Sequence, residues 1–434
     1  MNDINNYPRF TVIIPQKNRA EYIYHTLRTC MIQDYPNFEI IVSDDCSEDN
    51  SIDVINSLVK QDQRIKLFAH KKHLGMHDNF EFALNQVKPG YVMALGGDDG
   101  LTPGCIWRMY EIFNQTKKQL LTWPISGFEY ATEEGGTNTF FVRRSKTNDL
   151  RIIKSEDFLN SIAHSFRYLV NLCPMFYVKG VASTELIDRV KSRTLDGSFY
   201  YCPTPDGYSG IVLAGEVEEY VYSPEPLSLS GITQKSQGRN YHMTDKKSRF
   251  EAEQFFNDNV RRSMHKELAN QPYSPLITLM TADYLLTARD LPGWPGKFEM
   301  FTMDSLLRCT FDFIGKSSFH KDTLTRELNI LHNIAKQHHL EALFDELYHS
   351  TKIRHSKAKS IVGFAYTNSL RFEGSQLGIN NIFDASLATP IVYNLYQHLS
   401  AKELFNMGIN SINVLLNKKR YTTEPLSNIP IFEK

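Results

Sequence analysis

Two rhythms of apolar and polar positions take turns along the first hundred residues. Phe10-Thr11-Val12-Ile13-Ile14 is a short β-branched run closed by Pro15, which predicts a buried strand. From Ala20 to Gln33 the apolar residues Tyr22, Ile23, Leu27, Cys30 and Met31 recur at helical spacing. Phe38 to Val42 predicts a second strand, Ser51 to Lys60 a helix, and Ile65 to Phe68 a third strand. A helix over Asn79 to Gln86 and a strand over Tyr91 to Leu95 continue the alternation. Strand and helix at this rhythm predict an α/β fold, a mainly parallel sheet with helices on both faces.

Beyond this stretch the rhythm loosens. Gly127 to Arg144 predicts a β-ribbon turning at Glu133-Glu134-Gly135-Gly136, and Asp157 to Leu172 a helix. A helix is expected to start around Pro205-Asp206-Gly207, and a strand over Val217 to Tyr222 leads to a polar loop from Gly231 to Gly238. After about Tyr241 the spacing is helical, as in Phe250 to His265, Ile277 to Ala288 and Leu324 to Tyr348. A chain of 434 residues exceeds what one core usually serves. The expected division is therefore residues 1–240 as an α/β domain and 241–434 as a helical C-terminal domain.

Composition narrows the function classes. Lys plus Arg (48) and Asp plus Glu (49) cancel, so no global field draws the chain to nucleic acid. The six cysteines are scattered, with no CxxC pair, which disfavours a zinc site or disulfide framework and suits a reducing cytoplasm. No basic segment followed by an apolar one opens the sequence, so no signal peptide is expected. No run approaches the ~18 apolar residues that cross a bilayer.

The candidate chemistry lies at the ends of the predicted strands. Asp44-Asp45 closes the second, and Gly96-Gly97-Asp98-Asp99 closes the fourth. In a parallel sheet ligands sit beyond these carboxyl ends. Each pair has a plain structural reading, Asp44-Asp45 as helix caps and Asp98-Asp99 as a solvated turn. Two pairs on one sheet edge favour the functional readings: Asp98-Asp99 as hard oxygen ligands for a divalent cation beside a phosphate, which the glycines let come close, and Asp44-Asp45 as a carboxylate accepting a hydrogen bond from a nucleobase or ribose.

The joined run FTVIIPQKNRAEYIYHTL, QDYPNFEIIVSDDCSEDNS, LGMHDNFEFALN and GYVMALGGDDGLTPG resembles the family 2 glycosyltransferases, strongly from Phe10 to about Gly104 and weakly to about Gly238. That resemblance implies the GT-A fold and inverting transfer from a nucleotide sugar, most often a UDP-sugar, to a hydroxyl of a glycan or lipid-linked acceptor. It implies a nucleotide pocket lined by Pro15, Gln16 and Asn18, with Asp45 or Asp44 at the base, Asn79 near the donor and Asp98 at the ribose. Asp99 would hold Mn²⁺ or Mg²⁺ on the diphosphate. His73 stands where the family usually has Asn, and Gly97 where it often has a third acid.

For the base that deprotonates the acceptor, Asp206 has the position the resemblance implies, an acid opening a helix well after the metal motif. Asp196 is the alternative. Lys235, Arg239 and His242 sit in a polar loop read either as a lid on the diphosphate, with His242 a third metal ligand, or as solvated surface. Trp107, Phe128 and Tyr208 are weighed as sugar-stacking faces against core packing. Lys246-Lys247 and Lys418-Lys419-Arg420 are weighed as contacts to anionic lipid against solvated faces.

The implied setting is bacterial surface polysaccharide assembly, in the cytoplasm or on the inner face of the cell membrane. The helical part is read as shaping the acceptor site, binding a membrane surface or mediating homo-oligomerisation. A catalytically inactive sugar-binding scaffold and a nucleotidyltransferase are the rival readings. The latter is disfavoured because Pro15-Gln16-Lys17-Asn18-Arg19 lacks a glycine.

Overall fold

The structure is a computed structural model that describes residues 6–131, 137–143, 148–202, 204–236, 262–317, 319–355, 369–398 and 422–431. Strands β1 (Phe10–Gln16), β2 (Phe38–Asp44), β3 (Ile65–Ala69) and β4 (Tyr91–Ala94) alternate with helices α1 (Ala20–Met31), α2 (Ser51–Val59) and α3 (Met76–Asn85). Their order is β3-β2-β1-β4, all parallel. Along β1 the side chains divide by the period of two, Ile13 to one core and Val12 and Ile14 to the other. Both faces of the sheet are thereby covered.

Pro15 does not stop β1, which runs on to Gln16 in register with Asp44. Leu95 N–H donates to Ile13 O on the β4 side and Asp45 N–H to Gln16 O on the β2 side. The missing N–H of Pro15 therefore faces the side where β4 has already ended, and no ladder bond is lost.

The short strand β5 (Gly100–Leu101) and helix α4 (Cys105–Thr116) precede β6 (Leu120–Thr122), β7 (Ser126–Glu129), β8 (Thr139–Arg143) and β9 (Arg151–Lys154). Helix α5 (Ser155–Ser165), β10 (Gly180–Ser183), α6 (Thr184–Lys191), α7 (Pro205–Gly215), β11 (Glu219–Tyr222) and β12 (Ser228–Ile232) follow. The main sheet continues as β4-β10-β6-β11-β9. Among the described residues, six of its eight strands run one way, with β10 and β9 against them. Helix α5 ends at Ser165 rather than near Leu172, because Phe166 turns left-handed (φ 50°) and its N–H closes on Ile162 O. Strands β7 and β8 form the expected antiparallel ribbon, whose turn residues 133–136 lie outside the described residues.

The 241 boundary, like Arg239, His242, Lys246-Lys247 and most of the helix expected from Phe250, also lies outside the described residues, as does Lys418-Lys419-Arg420. Beyond it stand α8 (Ile277–Arg289), α9 (Met303–Lys316), α10 (Lys321–Gln337) and α11 (Glu341–Ser350). The single helix expected from Leu324 to Tyr348 is two. His339 adopts φ 56° and Leu340 N–H reaches back to Ala335 O, a stop that usually uses glycine.

These helices share one apolar core with the sheet, in which Leu279, Leu286, Phe311 and Leu328 join Ile13 and Ala94. Strand β13 (Lys352–His355) pairs with the later Thr422–Pro425. The chain then returns to the first half: β14 (Ser369–Glu373) pairs with β8. Helix α12 (Ile382–His398) stacks Phe383 under Arg28 of α1, 3.8 Å from guanidinium carbon to ring centre. No helix among the described residues is long and apolar enough to cross a membrane.

Candidate active site

The carboxyl ends of β1, β2 and β4 form one edge, and the acidic pairs meet there. Asp44 is buried at the end of β2, where it accepts hydrogen bonds from the Gln16 amide and from Ser47 N–H (2.8 Å). Asp45, 3% exposed, takes Leu74 N–H (2.6 Å), Gly75 N–H (3.1 Å) and His73 Nδ1 (2.8 Å). It thus ties the loop before α3 to the end of β2. Left-handed backbone at Asn18 (φ 53°) and Cys46 (φ 60°) turns the chain sharply after β1 and β2. Asn18 Oδ1 accepts Glu48 N–H at 2.8 Å, so these two turns hold each other.

Two of the expected pocket residues are committed inside the protein. Asn79 is buried, accepts from Ser43 Oγ at 2.6 Å and donates to Ser43 O at 3.1 Å, locking α3 to β2. Pro15 is buried in β1. Gln16 differs: its Nε2 is bonded but its buried Oε1 has no partner among the described residues, a polar atom that costs free energy until a donor reaches it.

Asp98 and Asp99 follow the two glycines after β4. Asp99 is 1% exposed, and its oxygens accept Gly96 N–H (2.6 Å) and Gly231 N–H (2.9 Å). Burial first, and the adjoining Asp98 second, push Asp99 up to about 8. Asp98 accepts Thr233 Oγ1 (3.1 Å) and lies 3.7 Å from Arg19 Nε.

These residues fit a divalent cation. A Cβ added at Gly96 would sit 2.9 Å from Asp99 Oδ2 and 3.0 Å from Asp98 Oδ1, so the glycine opens a cradle between two crowded carboxylates. Among the described residues no group of three or more His, Cys, Asp and Glu side chains is arranged to hold a metal. An ion on one or two carboxylates completed by phosphate oxygens and water is the usual magnesium arrangement.

The end of β12 and the loop after it close this corner. Gly231 passes so close that a Cβ there would meet Asp98 O at 1.9 Å. Gly231→Ala is expected to destabilise the fold by roughly 2–3 kcal/mol and to weaken metal-dependent nucleotide binding, because it pries the N–H from Asp99. Urea unfolding and calorimetry on the variant read both effects. Further along, Lys235 Nζ donates to Asn18 O (2.5 Å), and Lys235 O accepts from Arg19 (3.3 Å).

Asp206 opens α7 behind Pro205, half-buried, and accepts Gly207 N–H (2.8 Å) and the Tyr168 hydroxyl (3.3 Å). The alternative, Asp196, is exposed and turned onto Ser198 N–H (3.0 Å) and Oγ (2.7 Å). Trp107 packs edge-on against Tyr7 and Tyr35, and Phe128 is buried beneath α12. Tyr208 is buried as well, so it offers no face for stacking a sugar.

One residue without a sequence signal belongs to the site. Tyr177 brings its hydroxyl beside Asp99 Oδ2, the two lying 2.7 and 2.9 Å from the point where a Cβ on Gly96 would stand. The next residue, Val178, is left-handed at φ 64°, an uncommon and strained conformation for a β-branched side chain. Lys179 follows, 3% exposed, with Nζ donating to the carbonyls of Val170 (3.0 Å) and Asn171 (2.7 Å).

Burial pushes the Lys179 amine from 10.5 down to about 7. Between those values the unfolded chain holds a proton that the folded chain has shed, so stability rises with pH. Between pH 8 and 10 the wild type should gain on Lys179→Met by roughly 1.4 kcal/mol per pH unit, followed by urea unfolding at each pH.

Part of the chain is similar to known proteins. The pattern described as "Glycosyl transferase family 2" matches residues 11–169. A GalNAc(5)-diNAcBac-PP-undecaprenol beta-1,3-glucosyltransferase of Campylobacter jejuni is 33% identical over 109 residues, 25% of this chain and 35% of that protein. A putative teichuronic acid biosynthesis glycosyltransferase of Bacillus subtilis, TuaG, is 33% identical over 92 residues, 21% of this chain and 36% of that protein. The chain thus spans about a third of the length of these relatives. Among solved structures, S. aureus TarS 1–349 in complex with UDP-GlcNAc is similar over 78% of this chain and 91% of that one, at 14% identity and TM-score 0.43.

Proposed function

We propose, for a chain that belongs to glycosyl transferase family 2 through residues 11–169, that it moves a sugar from a nucleotide sugar to a hydroxyl with inversion. The donor is read as a UDP-sugar and the acceptor as a glycan or lipid-linked glycan of the bacterial surface. The single observation that carries the reading is the corner over Gly96, where the Tyr177 hydroxyl, Asp99 Oδ2 and Asp98 Oδ1 lie 2.7, 2.9 and 3.0 Å from the point a Cβ would occupy, on the sheet edge that also carries Asp44 and Asp45. A diphosphate corner and a carboxylate opposite it are the two parts that inverting transfer needs.

In the proposed step the acceptor oxygen attacks the anomeric carbon while the bond from that carbon to the diphosphate oxygen breaks. Asp206 takes the acceptor proton, as a half-buried carboxylate at a helix start can. Gln16 Oε1, buried without a partner among the described residues, would accept from the nucleotide, and Asp45 would keep its loop in place for the base. A divalent ion held by Asp99 beside Asp98 would neutralise the departing diphosphate. Arg19 and Lys235 stand at the mouth of the same corner, where cations favour a phosphate chain.

The acceptor class draws support from the Campylobacter relative, whose name specifies a PP-undecaprenol-linked acceptor. With such an acceptor the protein would work at the inner face of the cell membrane. Residues 1–240 would form the donor-binding domain, and the later helices would wall the acceptor side through α8.

Thermal-shift screening against nucleoside diphosphates and nucleotide sugars, with and without Mn²⁺, tests the reading. A manganese-dependent rise of the melting temperature with uridine nucleotides, absent in Asp99→Ala, is expected. No shift with any nucleotide from folded protein would turn the reading toward an inactive scaffold.

A further inference from the structure

The segment from Phe166 to Lys179, most of it beyond the family match, connects α5 to β10 and carries both Tyr168 and Tyr177. Its ends are marked by left-handed residues, Phe166 (φ 50°) and Val178 (φ 64°). Between them it is pinned from several sides. The buried Lys179 amine clamps the carbonyls of Val170 and Asn171. Thr122 Oγ1 of β6 donates to Cys173 O (3.1 Å), and Phe176 N–H donates to Ser209 Oγ of α7 (3.0 Å). Tyr168 N–H reaches Thr281 Oγ1 of α8 (3.3 Å). Gly207 has no side chain to separate the rings of Tyr168 and Tyr284, which would lie 2.8 and 2.7 Å from a Cβ there. A chain fixed to one strand and two helices, and clamped on itself, cannot shift at one end alone.

From these contacts we infer that segment 166–179 is a strut whose two tyrosines position the two carboxylates of the site, Tyr168 on Asp206 and Tyr177 on Asp99, and so set the separation between proton acceptor and diphosphate corner. The inference rests on the function proposed above. It also gives the helical region a share in catalysis, because α8 holds the Tyr168 end. On the same side, Arg262 binds Asp283 of α8 (2.7 Å) and Cys202 Sγ (2.9 Å), anchoring the chain that leads into Asp206.

Tyr168→Phe and Tyr177→Phe keep the rings and delete the hydroxyls. Tyr168→Phe is expected to lower kcat about tenfold while the donor KM stays within about twofold, the loss of one hydrogen bond to a charged group. Tyr177→Phe is expected to raise about tenfold the Mn²⁺ concentration that half-saturates UDP binding in calorimetry. In an Asp206→Asn background, Tyr168→Phe should add less than about twofold, since its partner is already gone.

A readout free of turnover is the ¹⁹F resonance of 3-fluorotyrosine placed at 168 or 177 in the full chain. Asp206→Asn should move the resonance at 168 and not that at 177, and Asp99→Asn the reverse. Resonances that ignore these replacements, or wild-type kcat and Mn²⁺ response in both phenylalanine variants, overturn the inference. Intact ¹⁹F responses in a protein whose turnover is indifferent to Asp206→Asn would support the strut and overturn the proposed function instead.

Discussion

Asp206→Asn is expected to lower kcat for sugar transfer by about 10³-fold while leaving donor KM and stability close to wild type. The amide keeps the shape of the carboxylate, and its oxygen can still accept Gly207 N–H, now at 2.8 Å. The Tyr168 hydroxyl, 3.3 Å from the other oxygen, loses that acceptor to the amide nitrogen, from which it can accept instead. What the amide cannot do is take the proton from the acceptor hydroxyl. Because α7 starts behind Pro205 and gains no other side-chain cap, its start is fixed mainly by backbone, so folding survives. Asp196→Asn is the control: it sits on an exposed turn with Ser198, and its kcat should stay within about threefold of wild type. The reverse ranking would hand the base to Asp196.

Asp99→Asn is expected to remove manganese-dependent binding of the nucleotide and to lower transfer by at least about 10²-fold. Here the effect reaches the ground state as well, because the lost charge would hold the ion to the diphosphate. The side chain is also a structural acceptor: Gly96 N–H and Gly231 N–H both point at it. An amide accepts through one oxygen only, so one buried N–H is orphaned, at about 1–3 kcal/mol. A modest fall in melting temperature without nucleotide therefore accompanies the loss of binding. Titrating UDP with and without Mn²⁺ by calorimetry separates the two effects. If the Asp99→Asn variant binds UDP with wild-type manganese dependence, the ion belongs to other ligands.

The first half of the chain was legible because each element there repeats over several residues. Phe10 to Ile14, Phe38 to Val42 and the Tyr22-Ile23-Leu27-Cys30 stripe mark strands and a helix found within two or three residues of their expected ends. Asp44-Asp45 and Asp98-Asp99 were legible as strand-end carboxylates, and the sheet brings them to one edge. That much is local pattern.

What escaped is non-local or conformational. No window of sequence reports that β14 crosses back to β8, or that α12 would lie on α1, since pairing partners more than 200 residues apart leave no short-range period. The apolar stripe of α10 continues into α11 without a glycine or proline, so the stop at His339 had no mark. Tyr177 carries no motif, and its placement follows from the left-handed turn at Val178 that composition does not announce. Asn79 stands where the family resemblance puts a donor contact, yet its amide is spent on Ser43; sequence alone does not distinguish supporting a loop from touching a ligand.

The most direct test of the central claim is UDP release from a panel of UDP-sugars by the full chain, assayed with Mn²⁺ and again with EDTA. Manganese-dependent release from one sugar, removed by Asp206→Asn although the variant still binds UDP, is the predicted result. Release that persists in Asp206→Asn at the wild-type rate, or no release from any donor by protein that binds UDP, would contradict it.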